Sequence, residues 1–262
     1  MTTAHPYTRY VALGDSLTEG VGDPDLSGGC RGWADRLAEI LAEEQPAFTY
    51  ANLAVRGKTA AQIKTEQLGP ALALQPDLVT VMAGMNDLIR SSFDAASVIA
   101  DIEEMFVRLT ASGARVATVT FPDLGKVSPL ARRVLPRIRD LNARLLAAAE
   151  RHDVAVLDVF LHPVTTDPRL WSDDRLHASP LGHARIAAGM AHTLGLAGHH
   201  DWTEPLPLLT PIPALRAIVA DVRWAGAFLG PWLWRRLRGR SSGDGRTAKR
   251  PEPESVTRWQ TS

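Results

Sequence analysis

Three short segments of this chain hold the side chains that acyl transfer needs. The first is Gly14-Asp15-Ser16-Leu17-Thr18-Glu19-Gly20, a turn carrying a serine just past the apolar run Tyr10-Val11-Ala12-Leu13. The second, Gly84-Met85-Asn86-Asp87, offers a side-chain amide, and the third, Asp173-Asp174-Arg175-Leu176-His177, sets carboxylates beside an imidazole. A serine hydroxyl is a weak nucleophile until an imidazole takes its proton, and a carboxylate must hold that imidazole in the right tautomer. Backbone N–H groups and an asparagine amide can then bind the developing oxyanion, each worth about 10²–10³ in rate where such donors have been removed. The serine turn alone reads equally as an ordinary strand-to-helix cap. The elements around it must decide.

Strand-like apolar runs alternate with helical patterns from the start of the chain to about residue 195. Strands are expected at Tyr10–Leu13, Thr49–Leu53, Leu78–Met82, Val116–Thr120 and Val154–Val159. Between them, helical spacing spans Trp33–Glu44, Thr59 to about Leu68, Asp94–Ser112 and Leu135–His152. Asp94 is placed to cap its helix and Gly113 to stop it, and Ser179-Pro180 opens a last helix over Leu181–Leu194. Five short strands joined by helices predict an α/β fold, a three-layer α/β/α sandwich on a five-stranded parallel sheet. Ligands of such sheets bind past the carboxyl ends of the strands. Ser16, the loop Asn52-Leu53-Ala54-Val55-Arg56-Gly57 and the Asn86 turn each follow a strand directly, while Asp174 and His177 come after the fifth strand and before the last helix. The topology would therefore gather them on one edge.

At these residues the chain resembles the SGNH (GDSL-type) hydrolase superfamily. Gly14-Asp15-Ser16-Leu17 is similar to its first block, Asn52 through Gly57 to its second, Gly84-Met85-Asn86-Asp87 to its third and Asp174-Arg175-Leu176-His177 to its last. The resemblance spans about residues 9–195 and implies a flavodoxin-like sandwich. It also implies a carboxylic-ester hydrolase of esterase, lipase or deacetylase type, acting through an acyl-serine with no cofactor. By the same resemblance Ser16 is the nucleophile, His177 the base and Asp174 its orienter. The Ser16 and Gly57 N–H groups and the Asn86 amide then form the oxyanion hole. The second block departs from the pattern, with Ala54 where a glycine is common and Arg56 just before the presumed oxyanion glycine. Arg56 is read as a solvated side chain, with substrate recognition as the alternative. An acyltransferase using another acceptor than water would need the same residues, and a non-catalytic interaction module is the reading from outside enzymology.

Other residues near the site have plainer readings. Asp15 is expected to hold its turn by accepting backbone hydrogen bonds, Asp173 to be exposed and Asp87 to buttress the Asn86 turn. Asp173, Asp174, His177 and His183 lack the i, i+4 spacing of paired histidine ligands, so no metal site is expected. Gly20-Val21-Gly22 lacks the third glycine of a dinucleotide loop. The loop Val21–Arg31, which contains the lone cysteine Cys30, is expected to shape the substrate pocket.

The 262 residues carry 29 basic and 29 acidic side chains, which gives no sign of nucleic-acid binding. One cysteine and the lack of a signal-like apolar start suggest a cytoplasmic protein, and the resemblance implies a small-molecule ester as its partner. Residues 1–200 are expected to form the catalytic domain, and 201–240 a Pro-rich connector with a Trp/Arg-rich helical extension. Ala214–Arg240 sets six arginines against one aspartate, with Trp224, Phe228, Trp232 and Trp234 among them. That pattern fits a helix packed on the sandwich, a peripheral membrane contact at the inner surface, or a lid or dimer contact beside the site. Residues 241–262, made of Ser, Gly, Pro and charge, are expected to be disordered.

Overall fold

Apolar runs short enough for strands and flanked by helices fold here as a doubly wound sheet. The computed structural model describes residues 7–25, 28–45, 47–127, 129–208, 222–230 and 241–256. In chain order the main elements are β1 (Arg9–Gly14), α1 (Ser16–Glu19), α2 (Gly32–Glu44), β2 (Thr49–Asn52), α3 (Ala60–Ala73), β3 (Leu78–Met82) and α4 (Met85–Leu88). They continue with α5 (Ala95–Ala111), β4 (Arg115–Val119), α6 (Leu124–Val127), α7 (Leu135–Arg151), β5 (Ala155–Leu157), α8 (Pro180–Thr193) and β6 (Arg250–Ser255). The strands lie in the order β5-β4-β3-β1-β2-β6. The first five pair in parallel, in the doubly wound 2-1-3-4-5 order. All five residues of β3 are buried, as expected of a central strand covered on both faces.

The helices begin where the caps foretell. Asp94 accepts from the backbone N–H groups of Ala96 and Ser97 at the start of α5, and Ser179 accepts from Gly182 at the start of α8. Thr59 and Gln62 form a reciprocal capping box on α3. That helix runs to Ala73, past the expected end near Leu68 and through Pro70.

The expected five-stranded sheet has a sixth, antiparallel member, and it comes from the segment whose composition predicts disorder. Strand β6 pairs with the edge strand β2, with Tyr50 opposite Glu254 and Asn52 opposite Arg250. An edge strand needs backbone pairing and a few anchors, not an apolar core. Pro251 and Pro253 fall at alternate positions, which leaves one edge of the strand its N–H groups for pairing. Arg250 lies over the Tyr50 ring, 5.3 Å from its centroid. Lys249 donates to the carbonyls of Cys30 (2.8 Å) and Arg31 (2.7 Å) and to the buried carboxylate of Asp35. Residues 222–230 are helical. The rest of the expected helix Ala214–Arg240, with Trp232 and Trp234, lies outside the described residues. Among the described residues no helix is long and apolar enough to cross a membrane.

The end of β1 is fixed from both sides. Gln67 of α3 accepts from the Gly14 N–H and donates to the Gly14 carbonyl, both at 2.9 Å. A Cβ on Gly14 would stand 2.4 Å from Thr18 Oγ1 and 2.8 Å from the Met82 carbonyl, so only glycine fits. Asn142 of α7 grips Phe121 beyond β4 in the same two-bond manner, at 2.9 and 2.7 Å.

Two stability measurements follow. Gln67→Leu strands the buried Gly14 N–H and leaves the Gly14 carbonyl only its longer bond from the Val55 N–H (3.3 Å), and should lower unfolding stability by about 1–3 kcal/mol; a loss within error in urea titrations would contradict the clamp. The second concerns Asp35, whose carboxyl burial lifts to about 6 against the pull of Lys249. An unfolded aspartate titrates near ~3.9. Between these values the folded chain holds more protons than the unfolded one, so this group's contribution weakens as pH rises. Lys249→Met lets Asp35 rise further, and the variant's deficit should be small at pH 5 and grow towards pH 8. Equal deficits at both pH values would contradict the pairing.

Candidate active site

Ser16 opens the one-turn helix α1, and Asp15 is its cap. One Asp15 oxygen accepts from the Leu17 N–H at 3.3 Å, as the sequence suggests for a turn-holding carboxylate. The other accepts from Asn86 Nδ2 at 2.9 Å, a link across 71 residues that the sequence does not show. Burial pushes the Asp15 carboxyl up to about 6, against the pull of these hydrogen bonds and of His177. The second Asn86 amide hydrogen goes to the Lys58 carbonyl at 3.0 Å. Asp87 accepts from the Ala60 N–H at 3.0 Å and so ties the Asn86 turn to the start of α3.

The Gly57 loop is held by α1 itself. Glu19, buried at the end of α1, accepts from the Arg56 backbone N–H at 2.7 Å and from Arg56 Nε at 2.9 Å. Arg56 is therefore ion-paired to Glu19 with 20% of its side chain exposed, and is not the freely solvated group the sequence suggests. Asn52, fully buried, accepts from Ala54 N–H and donates to the Thr18 carbonyl and the Tyr50 hydroxyl. Gly57 sits at φ +81°, a conformation that L side chains rarely adopt.

Asp174 divides its two oxygens between its own turn and the His177 ring. Oδ1 accepts from the Ser172 hydroxyl (2.7 Å) and the N–H groups of Leu176 and His177 (both 2.9 Å), which builds the turn. Oδ2 faces His177 Nδ1 at 2.6 Å. Burial works to raise this carboxyl, but the His177 ring, its charge and N–H and the Ser172 hydroxyl outweigh it. Together they hold Asp174 far below the usual carboxylate range. An ionised carboxylate only accepts, so Nδ1 carries the proton and Nε2 keeps a lone pair. Asp173 is exposed, as expected.

Ser16, Gly57, Asn86, Asp174 and His177 line a single cavity of about 730 Å³. Its walls are chiefly apolar and include Met82, Leu88, Phe121, Ile138, Val164 and Ile186. The loop Val21–Arg31 is absent from the lining among the described residues, contrary to the expectation that it shapes the pocket. It is scaffold instead. Asp23 accepts from Arg36 Nε at 2.8 Å and from Gly32 N–H at 3.1 Å. His183, fully buried, bridges the Trp33 N–H (3.0 Å, to Nδ1) and the Val21 carbonyl (3.1 Å, from Nε2). Burial pulls His183 down to about 4, which keeps it neutral and able to do both. No cluster of three or more His, Cys, Asp or Glu among the described residues is placed to hold a metal ion.

With this geometry in hand, the chain can be set beside known proteins. An arylesterase of Vibrio mimicus is 29% identical over 191 residues, which is 71% of this chain and 88% of that protein. Among solved structures, TesA superposes with a TM-score of 0.59 at 24% identity, covering 71% of this chain and 98% of TesA. An acetylxylan esterase from Geobacillus stearothermophilus superposes with a TM-score of 0.60 at 16% identity, covering 76% and 97%. The sequence model described as the GDSL-like lipase/acylhydrolase family matches residues 12–185, a span that includes all five of the residues singled out above. The chain belongs to the GDSL-like lipase/acylhydrolase family.

Proposed function

We propose that this ester hydrolase works through an acyl-serine, with Ser16 as nucleophile, His177 as general base and Asp174 as its orienter. The observation that carries the reading is the His177 Nδ1–Asp174 Oδ2 contact of 2.6 Å in the lining of the cavity that Ser16 also lines. With its Nδ1 proton directed at an ionised carboxylate, the imidazole presents a basic Nε2. That nitrogen takes the Ser16 proton as Oγ attacks the ester carbonyl, then returns it to the departing alcohol. Water, deprotonated by the same nitrogen, attacks the acyl-serine, and the acid leaves as Ser16 recovers its proton.

The Ser16 N–H, at the open start of α1, the Gly57 N–H and the Asn86 amide are the groups that would hold the oxyanion. Asn86 already spends one hydrogen on Asp15 and one on the Lys58 carbonyl. The carboxylate bond is charge-assisted and the stronger of the two, so the Lys58 bond is the one that yields to an oxyanion. Asp15 thus acts through Asn86 as its positioning residue. The apolar walls and the volume of the cavity favour an acyl chain longer than acetyl.

Ser16→Ala and His177→Ala should each lower turnover of an aryl ester by at least about 10⁴-fold while leaving the urea unfolding curve in place. Substantial activity in either folded variant would sink the mechanism. Asp174→Asn keeps the turn's acceptor but cannot fix the tautomer, and should reduce kcat by about 10³–10⁴-fold. Because Asp174 is held far below the usual carboxylate range, its protonation does not set the acid limb of the rate, which falls to the imidazole base and to Asp15, whose carboxyl burial lifts to about 6. Activity should decline as pH falls through the range where imidazoles protonate; a flat profile from pH 5 to 8 would argue against a histidine base.

A further inference from the structure

The family match ends at residue 185, yet the cavity does not. Trp224, Phe228 and Ser242 stand in its lining beside the residues of the proposed mechanism. Trp224 Nε1 donates to the backbone carbonyl of Asp174 at 2.8 Å, which gives a half-buried indole the partner its N–H needs. The guanidinium carbon of Arg175, the next residue, lies 5.2 Å from the Trp224 ring centroid. The turn that carries Asp174 and His177 is therefore held from inside by Asp174 Oδ1 and from outside by Trp224. Arg175 sits at φ +54°, a conformation that non-glycine residues adopt sparingly without support from their surroundings.

The same extension is anchored across the cavity. A Cβ on Gly57 would meet Ser241 Oγ at 2.3 Å and Ser242 Oγ at 3.2 Å. One on Gly243 would meet the Arg56 carbonyl at 2.1 Å. Segment and loop are in close contact, with the Ser241 and Ser242 hydroxyls against Gly57 and Gly243 against the Arg56 carbonyl. Lys249 and β6 then tie the segment to α2 and β2. Described parts of the extension thus hold the acid–base turn on one side and the Gly57 loop on the other.

We propose that the C-terminal extension is a working part of the active site, in which Trp224 positions the Asp174–His177 pair and, with Phe228, forms a wall for the acyl chain. The inference rests on the catalytic reading of Ser16, Asp174 and His177 given above. Trp224 is a positioning residue that touches the carboxylate residue's backbone and not the reacting atoms. Its ring is also a specificity surface.

The test uses full-length Trp224→Phe and Trp224→Ala, assayed on p-nitrophenyl acetate and p-nitrophenyl octanoate, with Ser16→Ala alongside. Trp224→Phe keeps the aromatic wall but removes the N–H, and should lower kcat roughly three- to tenfold on both esters with KM within about twofold of wild type. Trp224→Ala should show that loss and also raise KM about fivefold or more for the octanoate alone. Phe228→Ala, at a partly exposed position, gives a second reading of the wall should Trp224→Ala not fold, with the same rise in octanoate KM. Wild-type kcat in Trp224→Phe overturns the positioning role. KM that rises equally for both esters, or for neither, overturns the wall. An active Ser16→Ala would overturn the catalytic reading itself, whereas an inactive Ser16→Ala beside unaffected Trp224 variants overturns this inference alone.

Discussion

Everything at the site hangs on how β1 ends. Gly14 closes a strand buried from Tyr10 onward with no room for a Cβ, pressed between Thr18 Oγ1 and the Met82 carbonyl. The amide of Gln67 bonds both of its backbone polar groups, and the Val55 N–H adds a second bond to the carbonyl, so the last residue of the strand has neither group unpaired. With that residue pinned, the chain turns at once into α1, and the Ser16 position follows from geometry and not from side-chain packing. The neighbouring pieces are then built outward from α1. Asn52 bonds its Thr18 carbonyl, Glu19 grips the Arg56 loop, and Asp15 reaches Asn86. Each link pairs a polar group of the turn, buried or largely so, with a partner from another segment, which is why one short turn can organise the loops that follow β2 and β3.

The carboxylates around this turn show how environment divides one chemistry into several roles. Asp15 and Asp174 are both largely buried, yet they move in opposite directions. Asp15 has few compensating donors and rises to about 6. Asp174 faces an imidazole and a hydroxyl and receives two backbone N–H groups, and it falls. The one that faces the imidazole is the one with the donors. Asp15, by contrast, carries a buried charge to hold an amide in place, and Asp35 carries another to receive Lys249 from the far end of the chain.

Much of this was legible in the sequence, for identifiable reasons. Strands β1, β3 and β4 are near-continuous apolar runs that only a two-sided sheet explains, and Asp94, Gly113 and Ser179-Pro180 mark helix ends by local chemistry alone. Ser16, Asn86, Asp174 and His177 could be picked out because each sits where a doubly wound sheet exposes its ligand edge. What stayed hidden depends on long-range pairing. Gln67 leaves a faint trace, a polar residue on the buried face of α3 between Ile63 and Ala71, but its partner is 53 residues away. The Asp15–Asn86 bond and the Arg56–Glu19 clamp leave no trace in either local segment. Strand β6 was missed because composition measures how much apolar surface a segment can bury, whereas this one is held by backbone pairing, Lys249 and a stacked arginine. Nearness to the serine in sequence points to Val21–Arg31 as the pocket wall; in space that loop is bound by His183 and Arg36, and the wall comes from later segments.

The central claim is that Ser16 is an activated nucleophile because His177, oriented by Asp174, removes its proton. Treating the protein with a fluorophosphonate and mapping the adduct by peptide mass spectrometry tests this most directly. The account predicts a single stoichiometric phosphonyl adduct on the peptide carrying Ser16, formed rapidly in the wild-type protein and greatly slowed in His177→Ala. An unlabelled Ser16, an adduct on a different residue, or equal labelling rates with and without His177 would contradict it.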